Sequence, residues 1–224
     1  MDDPLATGQG RANVLARVRR ALGRSGPDAQ SIAAAGEHIA RHVQGPRPAP
    51  PPDLAARFAI RAQDMASTLE RIASREEIPL AIQRYLDAMK LEGAQRAGVC
   101  WPEFADLDWT AAGLSLENRP ATGDDKVGVT SAQYAIAETG TLAILSGAAT
   151  PTGAAILPDT HIAVVQSACI VAGMEDMFGL VRRRYPRLPR AINMISGPSR
   201  TGDIEQTIVL GAHGPVRVHI LLLP

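Results

Sequence analysis

Three apolar runs limit what this chain can fold into: Thr141-Leu142-Ala143-Ile144-Leu145, His161-Ile162-Ala163-Val164-Val165 and residues 216–223, where His219 alternates with aliphatic neighbours. They are too short to span a bilayer and too continuous for a strand with one wet face, so they predict strands covered on both sides. Helical patterns lie between them. Asp53 is placed to cap a helix running to about residue 65. Ser74-Arg75-Glu76-Glu77 has the spacing of a capping box and opens a helix carrying Ile78, Ile82, Leu86 and Met89 on one face. Residues 173–185 form a helix whose end, Arg182-Arg183-Arg184, suits its dipole. Shorter strands are expected at 67–72 (in preference to a continuation of the preceding helix), 97–101, 114–116, 126–130 and 191–195. Residues 131–137 read as one or two helical turns. The predicted architecture is α/β, a mostly parallel sheet covered by helices on both faces, with an N-terminal helical arm.

The arm is expected over residues 1–52. In residues 12–22, Val14, Leu15, Val18 and Leu22 share one stripe, arginines cover the rest and Gly23 stops the helix. A Gly/Pro/Ala-rich stretch follows, densest at Gly45-Pro46-Arg47-Pro48-Ala49-Pro50-Pro51-Pro52, which is extended linker material. The α/β domain then occupies 53–224. The basic helix either docks on an acidic partner or lies as an amphipathic flap over its own domain.

Composition excludes several roles. Lys+Arg and Asp+Glu are both 23, and aromatics make up 4%, which argues against nucleic-acid binding by charge or by base stacking. No apolar run is long enough for a membrane span, and the N-terminus lacks the apolar core of a signal peptide. Cys100 and Cys169 stand far apart with no CxxC pair, so this chain alone holds no iron–sulfur cluster. They form no disulfide framework either, as in a reducing cytoplasm. His38 and His42 have helical metal-ligand spacing, but no third ligand is evident, so no metal site is expected.

Candidate chemistry gathers in two loops. Ser196-Gly197-Pro198-Ser199-Arg200-Thr201-Gly202-Asp203-Ile204-Glu205 follows an apolar run that reads as a buried strand and precedes what reads as a short helix. A strand-to-helix turn of this kind predicts an anion site at the C-terminal edge of a sheet, with Ser196, Gly197, Ser199, Arg200 and Thr201 around it. An arginine opposes the dipole at a helix start and is better explained by an anion or by an internal partner such as Glu138. The plainer alternative is a tight turn with Ser199 or Thr201 as helix cap. The second loop, Glu138-Thr139-Gly140-Thr141, offers a carboxylate as base, nucleophile or hydrogen-bond acceptor, or simply as a shaper of the loop. Asp159, His161 and Asp203 are candidates to support those groups from behind, although for Asp159 and His161 the favoured reading is a strand-edge cap rather than an acid–base pair.

Gly128-Val129-Thr130, residues 135–142, residues 157–165, residues 195–205 and Val209-Leu210-Gly211-Ala212-His213-Gly214-Pro215 occur in that order. In this order the chain resembles the lactate utilization protein C family, the LUD-domain proteins. The resemblance implies a fold similar to sugar-phosphate isomerases, CoA transferases and formyltetrahydrofolate cyclo-ligase. It further implies a part in oxidising L-lactate to pyruvate beside partner oxidoreductase subunits that carry the iron–sulfur clusters; the chemistry of the two loops themselves leads us to expect a small carboxylate or phosphate-bearing ligand at 138–141 and 196–201. Many members carry an arginine after the strand 141–145, where this chain has none, which would leave Arg200 more of the work. A CoA-transferase- or cyclo-ligase-like enzyme and a non-catalytic scaffold are the other readings.

Overall fold

A computed structural model describes residues 7–24, 26, 28–43, 45–204 and 207–224, with the side chains of 7 and 203–208 outside the description. The chain divides into two units, residues 1–48 and 49–224. The first holds two helices, α1 (Thr7–Ala21) and α2 (Ala29–Arg41). Helix α2 falls where the Gly/Pro/Ala content suggested only linker. Its alanines are the best helix formers, and Asp28 caps it by accepting the Ser31 N–H at 2.7 Å.

The second unit runs α3 (Leu54–Asp64), β1 (Thr68–Arg71), α4 (Ile78–Ala88), β2 (Ala97–Cys100), β3 (Ser115–Glu117), β4 (Val127–Ser131), β5 (Tyr134–Ile136), β6 (Thr141–Leu145), α5 (Gly153–Ile156), β7 (Thr160–Gln166), β8 (Ile170–Val171), α6 (Met174–Arg184), β9 (Ile192–Ile195), β10 (Arg200–Ile204), β11 (Thr207–Leu210) and β12 (Arg217–Leu223). Six strands form an all-parallel sheet in the order β1-β12-β7-β4-β2-β3. A second sheet, β8-β5-β6-β9, is mixed, and β10-β11 is an antiparallel hairpin.

Helix α4 buries Ile78, Ile82 and Leu86 in the core formed with Val99, Val127, Ile162 and Leu221. In a second core, α3 and the second sheet contribute Phe58, Ala62 and Leu142 beside Ala163, Val165 and Ile220. Met177 and Val181 of α6 pack on Ile136 and Ala143. Among the described residues, no helix is long and apolar enough to cross a membrane.

Three further expectations are corrected. Residues 134–136 are a strand, not helical turns: β5 is paired on both sides, to β6 and β8, and that ladder outweighs local propensity. Residues 200–204 are also a strand. Arg200 pairs with Leu210 and Thr201 with Val209. The β-branched run Thr207-Ile208-Val209 supplies the partner strand, whereas a lone helical turn would carry the full cost of nucleation. The run 191–195, expected to be buried, forms the edge strand β9, and Ile192–Ile195 are half-buried.

One polar cluster stabilises the approach to β4. Asp125 is buried and accepts from Arg119 Nη2 at 2.6 Å, Arg119 Nη1 at 2.9 Å and the Thr122 N–H at 2.7 Å. These donors hold its carboxyl below the ordinary value, the Arg119 guanidinium first. Asp125→Ala strands the Thr122 amide and is expected to cost about 2 kcal/mol in chemical denaturation.

Candidate functional site

Both candidate loops are shaped by one glycine and seated on the same piece of helix. Gly140 closes the β5–β6 hairpin at φ +69°, and its N–H donates to Ile136 O at 2.9 Å. A Cβ there would stand 2.3 Å from the Ala62 nitrogen, so the hairpin tip lies directly on the backbone of α3. Gly197, at φ +78°, follows β9, and a Cβ there would stand 1.9 Å from Met65 O. The end of α3 and its cap, Met65, therefore carry both loops.

Hydroxyls join the loops. Leu142 lies opposite Ile195 in the ladder, which brings Thr141 and Ser196 together, and their Oγ atoms are 2.7 Å apart. Thr139 Oγ1 lies 2.6 Å from Thr141 Oγ1. The result is a three-hydroxyl chain, buried at Thr141 and exposed at Ser196. A hydroxyl both donates and accepts, so such a chain can present either function to a ligand.

The charged groups face different helices. Arg200 is exposed, and its Nη2 donates to Met65 O at 3.3 Å, just past the C-terminal end of α3. No helix starts at Arg200, so the opposition to a helix dipole that singled it out does not arise; a cation at a helix C-terminus is favourable by itself. The half-buried Glu138 directs Oε2 toward Gly173, at the start of α6, where the carboxylates of Glu175 and Asp176 also lie. The edge assignment changes too. The Ser199 N–H donates to Pro215 O at 2.8 Å, just before β12, and Arg200 reaches Met65, just before β1. The 196–201 turn thus lies beside the amino ends of the parallel strands, not their carboxyl ends.

Thr201 is half-buried in β10. Asp159 is not joined to His161. Its Oδ2 lies 3.2 Å from Lys126 Nζ, while His161 is wholly buried with Nε2 2.9 Å from Thr130 Oγ1. The Asp203 side chain and Glu205 lie outside the described residues. Sequence reasoning missed Arg61, whose Nε donates to Glu138 O at 3.2 Å and whose Nη1 meets Asp64 at 2.9 Å. Only helical periodicity marked that residue, and nothing in it pointed 77 positions ahead. Burial pushes the Cys100 and Cys169 thiols up, away from the reactive thiolate form. Among the described residues, no three His, Cys, Asp or Glu side chains are placed to hold a metal ion.

A six-stranded parallel sheet, backed by helix on one face and by helices and a mixed sheet on the other, with two glycine turns locked onto one helix end, defines an α/β domain of a particular build. Residues 60–223 match the model of the LUD domain, and the chain belongs to the LUD-domain family. It is similar to lactate utilization protein C of Halalkalibacterium halodurans, 39% identical over 94 residues that make up 41% of each chain. To the protein of that name in Bacillus subtilis it is 32% identical over 127 residues, 55% of this chain and 53% of that one. A third such protein, from Exiguobacterium, is 29% identical over 153 residues, 66% of each. The chain spans about half the length of the first two of these relatives. The crystal structure of a DUF162 family protein from Deinococcus radiodurans shares the fold, with a TM-score of 0.54 and 22% identity, over 76% of this chain and 96% of that one.

Proposed function

We propose that this chain is a component of an L-lactate utilization system. It acts in the oxidation of L-lactate to pyruvate with partner oxidoreductase subunits that hold the iron–sulfur clusters. Family membership carries the reading, together with relatives that bear the name lactate utilization protein C. The two unpaired cysteines fit a subunit that leaves electron transfer to others.

Within this reading, the loops at 138–141 and 196–201 bind a small carboxylate or phosphate-bearing ligand. The supporting observation is the hydroxyl chain Thr139–Thr141–Ser196. The exposed Arg200 grips the anion, and Ser199 and Thr201 line the same turn. Gly140 and Gly197 seat the two backbones against the end of α3 and its cap, Met65. Glu138 accepts a proton or hydrogen bond, and Arg61 fixes the Glu138 carbonyl. Asp159 and His161 would act only through neighbours, Lys126 and Thr130 respectively.

The test is growth of a strain that depends on this chain for L-lactate, paired with calorimetric titration of the purified protein with L-lactate, pyruvate and inorganic phosphate. Arg200→Ala is expected to weaken anion binding roughly tenfold or more, the worth of one charge-assisted hydrogen bond. It should also slow growth on L-lactate while leaving growth on pyruvate and the melting temperature unchanged. Thr141→Val with Ser196→Ala should act likewise. Undiminished lactate growth in these variants and in Glu138→Ala, with no anion binding by the unaltered chain, would refute the site.

A further inference from the structure

Helices α1 and α2 each present an unburied aliphatic stripe. Val14, Val18 and Leu22 are 60%, 48% and 64% exposed, and α2 exposes Ile32, Ile39 and, just past its end, Val43. No residue of α2 is buried. Helices of 15 and 13 residues are marginal by themselves in water, so a surface must cover them for lasting stability. Residues 1–48 hold seven arginines against four carboxylates, and Arg17 and Arg19 flank the α1 stripe. The segment has no Phe, Trp or Tyr, the residues that anchor interfacial helices in lipid. The missing cover is therefore an apolar protein surface with an acidic rim.

The other unit carries such a surface. Between α4 and the segment after β2 lies a groove of about 460 Å³ lined by Leu80, Leu107 and Ala111 together with the carboxylates of Glu76, Asp106 and Asp108. Leu80 is 51% exposed. Arg75 also lines the groove, but Asp106 neutralises it with a hydrogen bond at 3.1 Å. Residues 49–224 hold 16 basic and 19 acidic side chains, opposite in sign to residues 1–48.

We infer that the chain forms a reciprocal dimer in which α1 of each copy lays its Val14–Val18–Leu22 stripe in the groove of the other. Pairing two α1 helices would set arginine against arginine, whereas arm-in-groove exchange pairs opposite charges. Two-fold exchange makes the contact twice and raises the buried area toward the ~1,200 Å² at which specific interfaces become stable.

Sedimentation of the full chain tests this, with circular dichroism as a check on the fold. A dimer is expected at low salt, dissociating as salt screens the contact. Arg17→Glu with Arg19→Glu should give a monomer, and so should Glu76→Arg with Asp108→Arg. Mixing those two monomers should restore a dimer, because each reversed arm then meets a reversed groove and each native arm a native groove. A monomer at every concentration would overturn the proposal. So would a dimer that survives either charge reversal, or two reversed chains that fail to combine.

Discussion

Unfolding free energy is expected to fall steeply as pH drops from about 6.5 to about 4, because two histidines are buried in the neutral form. His161 on β7 is fully buried; Thr130 meets its Nε2, and its Nδ1 has no partner. His219, on neighbouring β12, stacks on Tyr85 at 4.0 Å, with Nδ1 2.8 Å from Thr68 Oγ1. Burial pulls both imidazoles down to about 4. Below the unfolded value of about 6.5, the unfolded chain binds protons that the native chain refuses, so stability decreases with decreasing pH. The loss ends near 4, where the native imidazoles also protonate; above 6.5 they contribute no pH dependence. Each histidine is worth about 3 kcal/mol across this window, so the pair is worth about 6, a large share of a typical domain's stability. Urea denaturation from pH 8 to pH 4 measures it. His219→Phe keeps a ring against Tyr85 and should halve the slope. A pH-independent midpoint in the unaltered chain would contradict the assignment. Asp125 acts lower on the scale: its contribution is complete above the ordinary carboxylate value and is lost as pH falls through its lowered native one.

Gly140→Ala is expected to cost more than about 3 kcal/mol, well beyond an ordinary substitution. At φ +69° an L-residue costs about 1–2 kcal/mol in backbone strain alone. The added carbon would also stand 2.3 Å from the Ala62 nitrogen and 2.4 Å from the Arg61 carbonyl carbon, and helix backbone cannot yield as a flexible side chain does. The hairpin tip must lift off α3, which would break the Arg61–Glu138 hydrogen bond and spread the hydroxyl chain. Gly197→Ala should behave similarly, and the two should not add, since they act on adjoining residues at the end of α3 and its cap. Gly202→Ala is the control: nothing lies within 4 Å of a Cβ at that exposed position, so its effect should stay within about 0.5 kcal/mol. A melting temperature unchanged by Gly140→Ala would refute the seating of this loop.

Much of the fold was legible in the residues. Asp53 caps α3 as its position implied, its side chain accepting the Ala56 N–H. The sequence pattern favours a short strand at 67–72 over a longer helix; the strand spans Thr68–Arg71, and Ala66, at φ +65°, is where the helix breaks. The apolar runs became β6, β7 and β12, yet only β7 and β12 joined the parallel sheet. A strand covered on both faces looks alike in either sheet, and here the mixed sheet packs against both the inner core and α6. Residues 200–204 misled for the opposite reason. Asp203 and Glu205 resemble the acids of a first helical turn, and only the partner strand 207–210 reveals the hairpin.

By itself, the amino-acid order determined most of the covered strands, the Asp53 cap, the N-terminal helix α1 and two loops rich in glycine and hydroxyl side chains, because each depends on neighbours within a few residues; the capping box at Ser74–Glu77 did not form. Which sheet a strand enters, that Thr141 meets Ser196 across 55 positions, and that both loops close on Arg61 and Met65 were decided only in the tertiary structure. Those pairings come from ladder register and from close backbone approach between distant segments, and no local pattern encodes which segment will be opposite.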